Sequence, residues 1–181
     1  MSKLATFLAV FRGRKLATIG LIWLCIVAIA AIAAPLISPF DPLEIDPIAR
    51  LSEPGMPYLF GTDHFGRDTF SRAIYGARMA VIIGVGSVVV ALTTGGLIGM
   101  LSAYFTRLGN VLMRGIDVLM SFPALLLALV LMTLLERSVT NTIIVIGIVY
   151  ATTTARILFG MTLKLKGEVF VDAAVCSGAG H

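Results

Sequence analysis

Four apolar runs organise the chain, at about 16–37, 79–105, 116–135 and 142–161, and polar, charged or proline-rich segments separate them. A helix needs about 20 apolar residues to cross the hydrocarbon of a bilayer, and each run is near that length. Backbone polar groups in lipid must be satisfied within their own segment, so each run is expected to be a helix. None shows the period-two alternation of a barrel strand. The fold class is therefore an all-α membrane protein, a polytopic transmembrane helical bundle.

The first run follows Arg12, Arg14 and Lys15, as a secretory leader would. It is much longer than the apolar core of a leader, so it is read as a retained helix, although Ala33 and Ala34 could imitate a cleavage site. The segment 38–78 carries Asp41, Glu44, Asp46, Glu53, Asp63 and Asp68 among Pro39, Pro42, Pro47, Pro54 and Pro57, a pattern that forbids a long helix and predicts a folded-over surface loop. From Asp68, a plausible N-cap, the residues Phe70, Ala73, Ile74 and Ala77 recur at helical spacing opposite Ser71 and Arg72. That predicts an amphipathic interfacial helix, an elbow before the chain enters the membrane at Met79.

In the second run the small residues Gly84, Gly86, Gly95, Gly96 and Gly99 include the spacing Gly95-x-x-x-Gly99, which lets helices approach closely but is common in polytopic proteins. The third run opens with Arg114 and Asp117, expected to pair at the membrane boundary. Ser121-Phe122-Pro123 follows, where the proline should bend the helix.

Composition agrees with this reading: 58% of the 181 residues are hydrophobic and 13% charged, with mean hydropathy +0.99. The net charge of +4 would suggest nucleic acid in a soluble protein; here the basic residues flank the apolar runs, so they report topology. With the N-terminus inside, the cytoplasmic segments hold Lys3, Arg12, Arg14, Lys15, Arg107, Arg114, Arg156, Lys164 and Lys166, against Arg50, Arg67, Arg72, Arg78 and Arg137 outside. No run has a charge near its middle, which argues against a proton-coupled carrier or a voltage sensor.

Enzymatic signatures are missing: there is no phosphate-binding glycine loop, no metalloprotease His-Glu spacing and no nucleophile elbow. His64 and His181 fall on opposite sides of the membrane in this topology, and Cys25 and Cys176 are far apart. A membrane enzyme would have to use the sole cluster of Asp63, His64 and Asp68. The tail 162–181 mixes Lys164, Lys166, Glu168 and Asp172 with Val169, Phe170, Val171, Ala173, Ala174 and Val175, as expected of a helix lying against a membrane or a partner.

Three motifs carry a resemblance. Gly61-Thr62-Asp63-His64-Phe65-Gly66-Arg67-Asp68, followed by Ser71-Arg72-Ala73-Ile74-Tyr75-Gly76-Ala77-Arg78, resembles the segment before the second span in the C-type permeases of dipeptide, oligopeptide and nickel ABC importers. Met113-Arg114-x-x-Asp117-x-x-x-Ser121-Phe122-Pro123 resembles a later landmark. Glu168-Val169-Phe170-Val171-Asp172-Ala173-Ala174 with Gly178 resembles the start of the cytoplasmic Glu-Ala-Ala loop, with Asp172 where Glu is usual.

The resemblance implies a permease subunit of an ATP-driven importer of peptides or similar small solutes, of which four of about six spans are present. It implies a cytoplasmic N-terminus at 1–15, a first span at 16–37, a periplasmic loop at 38–78, and the start of the permease domain at 79–181, ending in a partial coupling loop at 162–181. It also implies a second permease subunit in a heterodimer, two cytoplasmic ATPases that bind the ATP, a periplasmic substrate-binding protein, a bacterial inner-membrane location, and no cofactor or metal in this chain. In the family Arg usually follows the Ala-Ala pair, whereas here Val175-Cys176-Ser177 follows and the sequence stops at His181. The alternative is thus a truncated, non-transporting membrane remnant of such a permease.

Overall fold

The protein, described here from a computed structural model, is defined over residues 15–178. Its elements in chain order are α1 (Lys15–Ile32), α2 (Ala34–Ile37), α3 (Thr69–Val90), a π-helical turn (Ala91–Gly95), α4 (Gly96–Tyr104), α5 (Thr106–Met120), α6 (Ala124–Leu134), α7 (Val139–Lys166) and α8 (Val169–Cys176). Among the described residues the chain is helical, and the expected all-α polytopic class holds. Three helices are long and apolar enough to cross a membrane: α1, the 36-residue stretch Thr69–Tyr104, and α7. The expected N-terminal segment 1–15 lies, apart from Lys15, outside the described residues.

The chain divides into two compact units, one up to Ile82 and one from Ile83. In the first, α1 is apolar on all sides and stops at Ile32, where Pro35 removes the amide that would have bonded back to the preceding turn. The loop after α2 carries no long helix, as its prolines predicted. Local side-chain bonds shape it: the Leu43 amide donates to Asp41 Oδ1 at 2.8 Å and the Ile48 amide to Asp46 Oδ1 at 3.0 Å.

The elbow expected at Met79 does not form. α3 runs without a break through 79, because Asp68 caps it at its start and no proline or unfavourable contact interrupts it; Gly76 faces open space. The amphipathic stretch and the second span are therefore one helical path, with only the π-helical turn inserted. In that turn Thr93 Oγ1 donates to the Val89 carbonyl at 2.8 Å and Thr94 Oγ1 to the Val90 carbonyl at 2.6 Å, so side chains serve carbonyls that the wider turn displaces.

The second unit is organised around α7. A Cβ added at Gly95 would lie 2.4 Å from the Ala151 carbonyl oxygen, and one at Gly99 would lie 2.5 Å from that of Ala155. From the opposite helix, a Cβ on Gly147 would come within 2.5 Å of Val90 Cβ. The Gly95-x-x-x-Gly99 spacing thus has an intramolecular use: it seats the second apolar run against Ala151 and Ala155, themselves four residues apart. Met113, Ile116 and Ala155 are buried together, with Ile98 and Phe159 packed on them, so α5 joins the same core.

The third run departs most from expectation. It begins ten residues earlier than expected, as α5, and breaks by 92° across Ser121-Phe122-Pro123 into α6, the two helices together being long and apolar enough for one broken span or a re-entrant loop. Pro123 has no amide to donate, and the residue before a proline is biased out of helical geometry, so the helix ends instead of bending. The fourth run is longer than expected, because Ser138 Oγ accepts the Asn141 amide at 3.1 Å as an N-cap and the helix continues to Gly167.

Candidate functional site

The motif 61–68 builds a knot of backbone and side-chain bonds. Gly61 and Gly66 adopt φ +70° and +81°, conformations that other residues resist. Thr62, almost buried, receives the Ser52 amide on its hydroxyl at 2.8 Å and donates that hydroxyl to the Ala49 carbonyl. Asp63 Oδ1 accepts the amides of Phe65 at 2.8 Å and Arg67 at 3.1 Å, while Oδ2 pairs with the Arg67 guanidinium at 2.8 Å and with Arg72 at 3.5 Å. Desolvation pushes the Asp63 carboxyl up, but these amides and the Arg67 charge outweigh it and hold the group below its ordinary value.

Asp68 closes the knot as the cap of α3: its Oδ2 accepts the Ser71 amide at 2.8 Å and the Ser71 hydroxyl at 2.6 Å. Ser71 Oγ in turn accepts the Phe40 amide at 3.3 Å, which pins the start of the loop to the start of the helix. Tyr58 donates its hydroxyl to Asp46 Oδ2 at 3.4 Å; desolvation first, then the Asp46 charge, raises its ionisation above the usual phenol range. His64 is exposed and offers its carbonyl to Arg50 Nε at 2.7 Å. Asp63, His64 and Asp68 each take part in the hydrogen bonds and ion pairs that shape the loop.

In the third-run motif, Asp117 forms its ion pair with Arg156 on α7, not with Arg114 one turn away as the spacing suggested. Ser121 donates its hydroxyl to the Asp117 carbonyl at 2.9 Å and its amide to the same carbonyl at 3.1 Å, closing the end of α5. Beneath the break, Phe122 and Pro123 border a cavity of about 300 Å³ whose far wall is Val149, Tyr150, Thr152 and Thr153 of α7. Ala151 and Ala155 were not singled out in the sequence, and Arg156 was read only as a topological charge; the available signal for its pairing was that it is the one charge in the fourth run before Lys164.

The tail motif forms α8. Gly167 ends α7, with its amide bonded to the Leu163 and Lys164 carbonyls, and the Glu168 carbonyl then starts α8 by accepting the amides of Val171 and Asp172. Asp172 lies in the first turn, where its charge complements the helix dipole. Ala173 and Ala174 are exposed, and Gly178 follows the helix at φ +88°, the left-handed geometry of a helix stop. Val169 and Phe170 are 81% and 64% exposed, a high value for apolar side chains on so short a helix.

Comparison with known proteins adds a second line of observation. Residues 2–54 match the model of the N-terminal transmembrane domain of oligopeptide transport permease C, and residues 95–181 match that of the binding-protein-dependent transport system inner membrane component. A putative peptide transport system permease of Brucella suis is 39% identical over 166 residues, covering 92% of this chain and 56% of its own length. A dipeptide transport system permease of Alkalihalophilus pseudofirmus is 36% identical over 168 residues, covering 92% and 55%. An oligopeptide transport system permease of Bacillus subtilis is 35% identical over 170 residues, covering 93% and 56%. The chain spans somewhat more than half the length of these curated relatives.

Proposed function

Because this chain belongs to the inner-membrane permease family of binding-protein-dependent peptide transport systems, we propose that it supplies one permease half of an ATP-driven importer of peptides or similar small solutes. It is a multi-pass membrane protein, and the observation that carries its role in coupling is the junction of α7 with α8. α7 is seated by close backbone contact on the π-helical turn and α4, and it leads through a single turn at Gly167 into a short helix with Val169 and Phe170 bare. A helix docked by those two side chains moves α7 with it, and α7 carries the displacement to the wall of the bundle.

In this reading Glu168, Asp172, Ala173, Ala174 and Gly178 form the face and stop of the ATPase-docking helix. ATP is bound by two cytoplasmic partner subunits; a second permease completes the path, and a periplasmic binding protein delivers the solute to the side bearing the 61–68 knot. Closure of the ATPases around ATP biases the bundle between its two open states. The N-terminus and α8 face the cytoplasm in this scheme.

Co-expression with the cognate ATPase, second permease and binding protein tests it. Phe170→Asp is expected to abolish co-purification of the ATPase while leaving membrane insertion unchanged; retention of the ATPase by that variant would refute the docking role of α8. Orientation is read separately: a membrane-impermeant thiol reagent should label Cys176 of a Cys25→Ser variant in inside-out vesicles and not in intact spheroplasts.

A further inference from the structure

The first apolar run ends at Ile37 and the second begins at Met79, so the chain leaves and re-enters the bilayer on the same face at these two points. Between them, wholly within the first unit, lies a cavity of about 730 Å³. Residues 38–43 form one wall, and Arg72, Tyr75, Gly76 and Met79, spaced i, i+3, i+4 and i+7 on one face of α3, form the other. The Phe40 amide donates to Ser71 Oγ at 3.3 Å and holds the two walls together. Seven residues of helix separate Arg72 from Met79 by about 10 Å along the axis. The cavity therefore reaches from the headgroup layer to the edge of the hydrocarbon.

Its lining is mixed in a specific way. Phe40, Leu43, Tyr75 and Met79 give it apolar surface, and Leu43 is left 75% exposed. Asp41 and Arg72 set one negative and one positive group on facing walls, yet the two do not pair with each other. Asp63 Oδ2 is already held by Arg67 at 2.8 Å, and Arg72 stands off it at 3.5 Å. One carboxylate thus serves two guanidinium groups and leaves a positive charge in excess. Asp41 Oδ1 accepts only the Leu43 amide, at 2.8 Å, and among the described residues no ion pair involves it. Opposite charges that face one space without meeting match a ligand that carries both, and the apolar lining at the hydrocarbon edge matches a ligand with a chain. An anionic headgroup leaves Asp41 unmatched, and a quaternary ammonium has no hydrogen to donate to it.

We propose that this cavity seats a phospholipid with a phosphoethanolamine headgroup, its phosphate on Arg72, its ammonium on Asp41, and the start of an acyl chain against Phe40, Leu43 and Met79. The lipid fills the wedge between the exits of two spans and ties residues 38–43 to α3 at the bilayer surface. The site is independent of the docking role of α8.

The test uses the full chain in mild detergent, titrated with phosphatidylethanolamine, phosphatidylglycerol and phosphatidylcholine of the same acyl chains and with soluble O-phosphoethanolamine, with adducts read by native mass spectrometry. Phosphatidylethanolamine is expected to be retained at roughly tenfold lower concentration than the other two lipids, the scale of one charge-assisted contact, and O-phosphoethanolamine not at all. Asp41→Asn, which keeps an acceptor for the Leu43 amide, should remove that preference, whereas Glu53→Gln, the same change of charge outside the cavity wall, should leave it intact. Arg72→Gln should weaken retention of phosphatidylethanolamine and phosphatidylglycerol alike. Gly76→Leu fills the cavity from α3; a Cβ there meets nothing within 4 Å and leucine favours a helix over glycine, so this variant folds and should lose the adduct even where Arg72→Gln does not fold. Equal retention of the three lipids, or an unchanged adduct in Gly76→Leu, would mean annular lipid only and overturn the proposal. Preference for phosphatidylglycerol would overturn it in favour of an anionic-lipid site, and adducts with O-phosphoethanolamine in favour of a soluble solute. Conversion of dimers to monomers by Gly76→Leu without change in lipid adducts would show that a second copy of the chain closes the cavity, and would overturn it equally.

Discussion

The α-carbon of Gly66 faces the carbonyl of Asp46 so closely that a methyl group there would lie 1.7 Å from the oxygen, and the φ of Gly66 is +81°. Twenty residues of loop are folded back on themselves to make that contact, and both the sterics and the backbone geometry require glycine. Gly66→Ala is therefore expected to destabilise the loop by roughly 1–3 kcal/mol or more. Limited proteolysis within 40–68 should accelerate accordingly, whereas Gly55→Ala, with nothing within 4 Å, should leave the digestion rate unchanged.

Replacement of the small residues on the α7 seam should be expensive in a way that depends on position. Gly99→Ala and Gly147→Val each put atoms where the Ala155 backbone and Val90 already stand, and the cost of such overpacking is about 1–3 kcal/mol. Gly84→Ala and Gly160→Ala, which meet open space, serve as controls. Thermal unfolding in detergent should separate the two pairs, with only the first lowering the midpoint.

The Asp117 to Arg156 pair should matter less than its long-range character suggests. Both side chains are about half exposed, at 51% and 43%, so solvent screens them and a double-mutant cycle should return a coupling of about 0.2–1 kcal/mol. An exchange of the two charges should restore most of whatever either single change removes.

Acid should loosen the 61–68 knot through Asp63. In the folded state its carboxyl is held below the ordinary aspartate range, so the unfolded chain binds the proton more readily. The stabilisation is complete above that range and is lost as pH falls through the folded-state value. Loop proteolysis with an acid-active protease should show this acid-dependent loss in the native chain and a flatter profile in Asp63→Asn, which has no charge to lose.

Much of the architecture could be read from residue order alone. Three of the four apolar runs became the long helices expected, because a stretch of about 20 apolar residues admits little other than a helix in lipid. Asp68 as an N-cap and the proline-rich loop were also legible, since caps and turns are set by contacts within a few residues. The elbow at Met79 was misplaced because a change from amphipathic to apolar periodicity alters which face is buried without breaking the helix. The break at Pro123 was legible, whereas the earlier start of α5 and the 92° angle between α5 and α6 were not, because both depend on packing.

The sequence by itself determined that this is an all-α membrane protein and where its local stops and caps fall, because hydrophobic length and short-range hydrogen bonding act along the chain. Tertiary structure alone decided that Gly95 and Gly99 serve Ala151 and Ala155, that Asp117 turns to Arg156 instead of Arg114, and that Asp41 and Arg72 line one cavity. Those partners lie tens of residues apart or across a folded loop, and which of many small or charged side chains meet is settled by close packing in three dimensions, a quantity that spacing along a chain does not encode.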